Sequence, residues 1–126
     1  MYELKIITRF AAAHKLEMVA KQCENLHGHN WKIEVCVAGE KLNPAGVLID
    51  FGELKVLVAK IIDGLDHKYL NELEVLEGRP SSSENVAWYI AHTLDRELSV
   101  PGVRVGSVTA WESDDACATY KISNRE

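Results

Sequence analysis

The densest concentration of reactive side chains lies in seven residues, Cys23-Glu24-Asn25-Leu26-His27-Gly28-His29. In an extended chain, residues two apart project to the same side. His27 and His29 therefore point together, and Gly28 leaves the opposite face free of side-chain bulk. Two imidazoles presented this way can chelate a metal ion, and His14, at the end of an earlier alternating run, supplies a third nitrogen if the two segments pair. Three histidines with an open fourth position form the arrangement of catalytic zinc, in which the metal can polarise substrate oxygens. Cys23 precedes His27 by four residues, in a polar stretch that reads as a loop. Its thiol suits either a further metal ligand or a thiolate activated by the metal's field.

Two further features could join this chemistry. In Asp66-His67 an acid stands beside an imidazole, a pairing that can set the tautomer and relay protons, although the local sequence by itself favours a polar helix terminus. Glu112 follows Trp111 at the end of an alternating run, where a carboxylate can grip a planar amidine edge through two parallel hydrogen bonds.

The elements that must position these residues follow from periodicity. Leu4, Ile6, Thr8, Phe10, Ala12 and His14 share one parity, the pattern of a half-buried strand. A second strand is expected over about 29–38, with Trp31, Ile33, Val35 and Val37 inward and Lys32, Glu34 and Cys36 outward. From Phe51 to Leu65 the apolar residues recur at three and four, which predicts a helix with Asp50 as N-cap and Glu53 completing a capping box. A second helix is expected over about 84–98, with Val86, Ile90, Leu94 and Leu98 on its apolar face and Ser81 and Glu84 as its capping signal. Two last strands are expected over 103–112 and 116–122. The order ββααββ predicts an α+β domain spanning 1–126, an antiparallel sheet with two helices laid on one face.

Composition narrows the classes. Hydrophobic residues make up 47% and charged residues 26% of the 126, an ordinary globular balance. A formal net charge of -5, without a basic stripe, argues against nucleic acid as a partner. No apolar run approaches the roughly 20 residues of a membrane span, and Met1-Tyr2-Glu3-Leu4-Lys5 does not resemble a secretion signal, so a cytoplasmic protein is expected. Cys23, Cys36 and Cys117 are an odd count at unrelated spacings; a disulfide framework is not expected, and the latter two read as packing residues.

Taken in order, Phe10-Ala11-Ala12-Ala13-His14, Cys23 with His27-Gly28-His29, Ile49 to Lys55, Leu65-Asp66-His67-Lys68-Tyr69-Leu70-Asn71, Ser83-Glu84-Asn85 and Glu112 resemble the 6-pyruvoyl-tetrahydropterin synthase family. The resemblance covers nearly the whole chain and is greatest to the 6-carboxy-tetrahydropterin synthases of queuosine and 7-deazapurine synthesis. It implies a tunnelling fold (T-fold) of four antiparallel strands and two helices, assembled as a homohexamer of two stacked trimers. It also implies zinc on His14, His27 and His29, and Cys23 as general base, partnered by Asp66 and His67 from an adjacent subunit. Glu112 would anchor the 2-amino-4-oxo edge of a pterin, with Ser82, Ser83 and Glu84 contacting the substrate. The implied substrate is 7,8-dihydroneopterin triphosphate, and the products of the carboxy branch are 6-carboxy-tetrahydropterin, acetaldehyde and triphosphate.

Within this resemblance Lys15, Lys21 and Arg79 are candidates for the phosphates. Arg79-Pro80-Ser81-Ser82-Ser83 departs from the family's usual Pro-Thr before the Ser-Glu-Asn element. The three-residue gap between Cys23 and His27 favours the carboxy branch over relatives with longer spacing or with a glutamate as the base; a pyruvoyl-forming synthase or a relative that cleaves dihydroneopterin is the alternative within the family. A zinc module that binds a pterin without turnover is the alternative of another class.

Overall fold

Period-two alternation produces β1 (Tyr2–His14) and β2 (His27–Gly39), which pair antiparallel in unbroken register from Tyr2↔Gly39 to His14↔His27. The computed structural model describes residues 1–16 and 27–122 and, at His27, the backbone alone. β4 (Arg104–Ser113) pairs with β2, and β5 (Ala116–Lys121) with β4, both antiparallel. These are the four strands the alternation predicts.

A fifth strand makes the sheet mixed rather than purely antiparallel. Lys68–Tyr69 form β3, parallel to β1 at Ala12 and Ala13, and the sheet order is β3-β1-β2-β4-β5. Two residues are too few to show a period. What creates the strand is His67, whose backbone adopts the left-handed region (φ 60) and donates its N–H to the carbonyl of Ala11 at 2.6 Å. That bond turns the following residues along the edge of β1.

α1 (Phe51–Asp63) begins where expected, with the Asp50 carboxylate accepting from the Glu53 N–H at 3.1 Å. It ends at Asp63 with Gly64 as its cap, so Leu65 lies beyond the helix yet is fully buried. α2 (Ser83–Glu97) is capped by Ser82, which accepts from Asn85 N–H at 3.2 Å, one residue later than the Ser81–Glu84 signal. The Ser81 hydroxyl is turned toward Asn71 instead, donating to Oδ1 at 2.7 Å. No helix among the described residues is long and apolar enough to cross a membrane.

Both helices cover the face that carries Ile6, Phe10, Trp31, Ile33, Val35, Val37, Val105, Val108 and Ala110, and Val86, Ile90 and Leu94 of α2 pack into the same cluster. Phe51, although in phase with the apolar face of α1, is 53% exposed because it is the first residue of the helix. Cys36 occupies the outer face but is buried, flanked by Lys5 of β1 and Ser107 of β4 beside a bulge. Cys117 is exposed on the last strand and is not a packing residue.

Antiparallel register decides where the chemistry lies. The C-terminal ends of β1 and β4 and the N-terminal end of β2 meet at one end of the sheet, and the loop leading into α2 lies over that end. Ile90 and Phe51 are both apolar helix residues, but only Ile90 is fully buried. Ile90→Ala is expected to cost about 2–5 kcal/mol in urea unfolding with an unchanged m-value, and Phe51→Ala less than about 1 kcal/mol. Equal costs would contradict this packing.

Candidate metal centre and active site

Three strands contribute to one cluster. The β1–β2 register sets His14 opposite His27 and Ala12 opposite His29. The His14 and His29 rings lie 5.0 Å apart, inclined at 70°. From β4, Glu112 reaches the same point, with Oε1 3.9 Å from His14 Nε2 and Oε2 3.7 Å from His29 Nε2. Both distances exceed a hydrogen bond. One donor atom from each of the three residues lies within 4.8 Å of the others. Two imidazoles and a carboxylate form a donor set suited to a divalent ion such as zinc, so the residues fit the metal that the His-Gly-His pattern suggests. Trp31, fully buried, floors the cluster, its ring 5.2 Å from that of His14 and 5.7 Å from that of His29.

His14 is fully buried, and its Nδ1 lies 2.6 Å from the carbonyl oxygen of Ser81. A carbonyl only accepts, so Nδ1 carries a proton, and it is Nε2 that faces His29 and Glu112. This is the orientation a metal requires, fixed by a partner outside the donor set. The Ser81 carbonyl is a functional group that the sequence reading missed. A backbone acceptor has no signature in residue type, and only the spacing to the helix start hinted at its place.

Asp66 and His67 form a separate pair at the β3 edge, beyond β1 from β2 and β4. Asp66 accepts the Ala11 N–H through Oδ1 at 2.9 Å, and its Oδ2 lies 3.1 Å from His67 Nδ1. The Ala11 N–H above all holds the carboxyl below the usual carboxylate range, against the opposing effect of desolvation and with further help from His67. The His67 side chain is 81% exposed. It lines a cavity with Ala11, Ala13, Gly28, His29, Asn30 and Tyr69, so one histidine of the cluster borders the same cavity. The pair is thus assembled, and the chain holds it at the sheet edge rather than in the histidine cluster.

The remaining candidates divide. Ser82 uses its hydroxyl as the α2 cap, and Ser83 is the first residue of that helix. Ser82 and Glu84 line a groove with Lys15, Asn71, Arg79 and Asn85, so two of the cations considered for phosphates share that groove. Arg79 also lies over the Trp88 ring, 3.7 Å from its centroid. Cys23, Lys21 and the His27 side chain lie outside the described residues.

Residues 3–123 match the family described as 6-pyruvoyl tetrahydropterin synthase. The chain is 36% identical to a putative 6-carboxy-5,6,7,8-tetrahydropterin synthase of Archaeoglobus fulgidus, over 92% of each chain. It is 34% identical to the dihydroneopterin monophosphate aldolase of Pyrococcus furiosus, over 84% of this chain and 85% of the relative. The solved structure of Caenorhabditis elegans 6-pyruvoyl tetrahydropterin synthase superposes with a TM-score of 0.85 at 31% identity, covering 97% of this chain and 96% of that one. The fold is therefore the T-fold that the resemblance implied, with β3 added at its edge.

The lowered Asp66 carboxyl gives a pH signature. A depressed folded value contributes stability above the unfolded carboxylate pKa of about 3.9, and that contribution disappears as pH falls through the folded value. The stability difference between wild type and Asp66→Asn, followed by urea unfolding from pH 7 to 3, is expected to hold steady down to about pH 4 and then shrink. A difference that does not change with pH would contradict the Ala11–Asp66 interaction.

Proposed function

Since the chain belongs to the 6-pyruvoyl-tetrahydropterin synthase family, we propose that it is a zinc-dependent 6-carboxy-tetrahydropterin synthase. In this reading it converts 7,8-dihydroneopterin triphosphate to 6-carboxy-tetrahydropterin, acetaldehyde and triphosphate, a step toward queuosine and other 7-deazapurines. The observation that carries it is the convergence of His14, His29 and Glu112 at the paired strand ends. The branch is supported by the name of the relative at 36% identity and by the short interval between Cys23 and His27.

His14, His27 and His29 would hold the ion, which supplies Lewis-acid polarisation of an oxygen on the substrate's side chain when bound. Glu112 stands beside the imidazoles, able to accept two parallel hydrogen bonds from the 2-amino and ring N–H edge of the pterin. That contact fixes the ring, so that the side chain extends toward the histidines. Cys23 acts as general base on a C–H of that side chain, and Asp66, ionised and hydrogen-bonded to His67, orients the imidazole that passes the proton onward. The exposure of His67 at the sheet edge favours delivery of this pair into a neighbouring copy's site. That fits a homohexamer of two trimers, each copy a single domain over residues 1–126. Ser82, Ser83 and Glu84 contact the substrate from the start of α2, and Lys15 and Arg79 receive its phosphates.

The competing readings within the family are pyruvoyl formation and cleavage of dihydroneopterin, favoured by the likeness to the worm synthase and the Pyrococcus aldolase. Products separate them. Incubating zinc-loaded protein with 7,8-dihydroneopterin triphosphate is expected to release acetaldehyde and 6-carboxy-tetrahydropterin. A 6-pyruvoyl or 6-hydroxymethyl product would overturn the branch, and binding without turnover would overturn the enzyme reading.

Variants test the roles. Cys23→Ala is expected to retain zinc and lose about 10²–10⁴-fold in turnover. Glu112→Gln is expected to retain zinc while kcat/KM falls about 10–100-fold, the loss of a charge-assisted hydrogen bond worth about 1.5–3 kcal/mol. Loss of zinc in Glu112→Gln would make that residue a ligand instead.

A further inference from the structure

We propose that Asn71 is a positioning residue of the metal centre, holding His14 in its coordinating orientation from outside the donor set; this rests on the metal reading above. Asn71 follows β3, and its side chain continues the edge pairing one step past the strand. Its Oδ1 accepts the Lys15 N–H at 3.0 Å, and its Nδ2 donates to the Lys15 carbonyl at 2.7 Å. One amide thereby pairs with both backbone groups of the residue that follows His14, as a neighbouring strand would. The same Oδ1 accepts the hydroxyl of Ser81 at 2.7 Å, and the carbonyl of Ser81 lies 2.6 Å from His14 Nδ1.

Asn71 therefore ties together the two backbone points that set His14: the chain directly after it and the carbonyl that accepts from its Nδ1. Only a side chain with a donor and an acceptor on one planar group does both. Asn71 is exposed whereas Ser81 is 1% exposed. Water can replace the Lys15 bonds when the amide is removed, so global stability is little affected. The geometry at Ser81 and His14 is what changes. Partners that orient a metal-ligating histidine typically alter metal affinity 10–100-fold, and Asn71 acts one bond further away, at the low end of that range.

The test uses full-length wild type, Asn71→Ala, Ser81→Ala (which keeps the carbonyl but loses the hydroxyl) and the double variant. Each is titrated with zinc and, separately, with Co²⁺, whose visible absorption reports coordination geometry. Asn71→Ala is expected to raise the zinc Kd about 10-fold and to change the Co²⁺ bands, while the apo protein melts within about 4 °C of wild type. Ser81→Ala is expected to move both readouts in the same direction by less. The double variant is expected to match Asn71→Ala rather than the product of the two effects. A wild-type Kd with unchanged Co²⁺ bands in folded Asn71→Ala would overturn the proposal, as would simple multiplication of the two effects. If Asn71→Ala fails to fold, a Ser81→Ala variant with wild-type Kd and bands overturns it as well. If wild type takes up neither metal, the metal reading fails first and this proposal falls with it.

Discussion

One hydrogen bond, from buried His14 Nδ1 to the Ser81 carbonyl, connects the chemistry to the fold. It bridges two layers: His14 ends a strand of the sheet, and Ser81 belongs to the segment that leads into a helix lying across it. A buried imidazole N–H needs an acceptor. The carbonyl provides one without adding a charge, and the second nitrogen is directed into the space shared with His29 and Glu112. Whatever displaces α2 relative to the sheet therefore acts on the histidine cluster.

The cluster depends equally on register. Side chains alternate across a strand, so a slip of one residue between β1 and β2 would carry His29 to the outer face while His14 stayed within. Long, uninterrupted pairing from Tyr2↔Gly39 to His14↔His27 resists that slip, because the apolar residues of β2 would all leave the core face together. Trp31 adds a local constraint: parallel to the Phe10 ring below it and edge-on to both imidazoles above, it leaves the histidines few alternative rotamers.

How much was legible in the sequence follows from the same physics. Period two placed His14 and His29 on one face because strand geometry is local, and the two helices were legible from their three-and-four spacing. β3 was not, since its two residues depend on the left-handed turn at His67 and on an edge of β1 that exists only after folding. Glu112 could be placed at a strand end but not beside the histidines; that needed the β2–β4 pairing of Lys32 with Trp111. The Ser81 carbonyl was illegible for a simpler reason, because every residue carries one. The α2 cap falls on Ser82 rather than Ser81, whose hydroxyl is directed to Asn71, a residue ten positions earlier in the chain.

Anomalous diffraction at the zinc edge from crystals of the zinc-loaded protein tests the central claim most directly. The account predicts one ion per chain, bonded to Nε2 of both His14 and His29, with His14 Nδ1 still hydrogen-bonded to the Ser81 carbonyl. An ion on His14 Nδ1, an ion elsewhere in the chain, or histidines that remain without one at saturating zinc would contradict it.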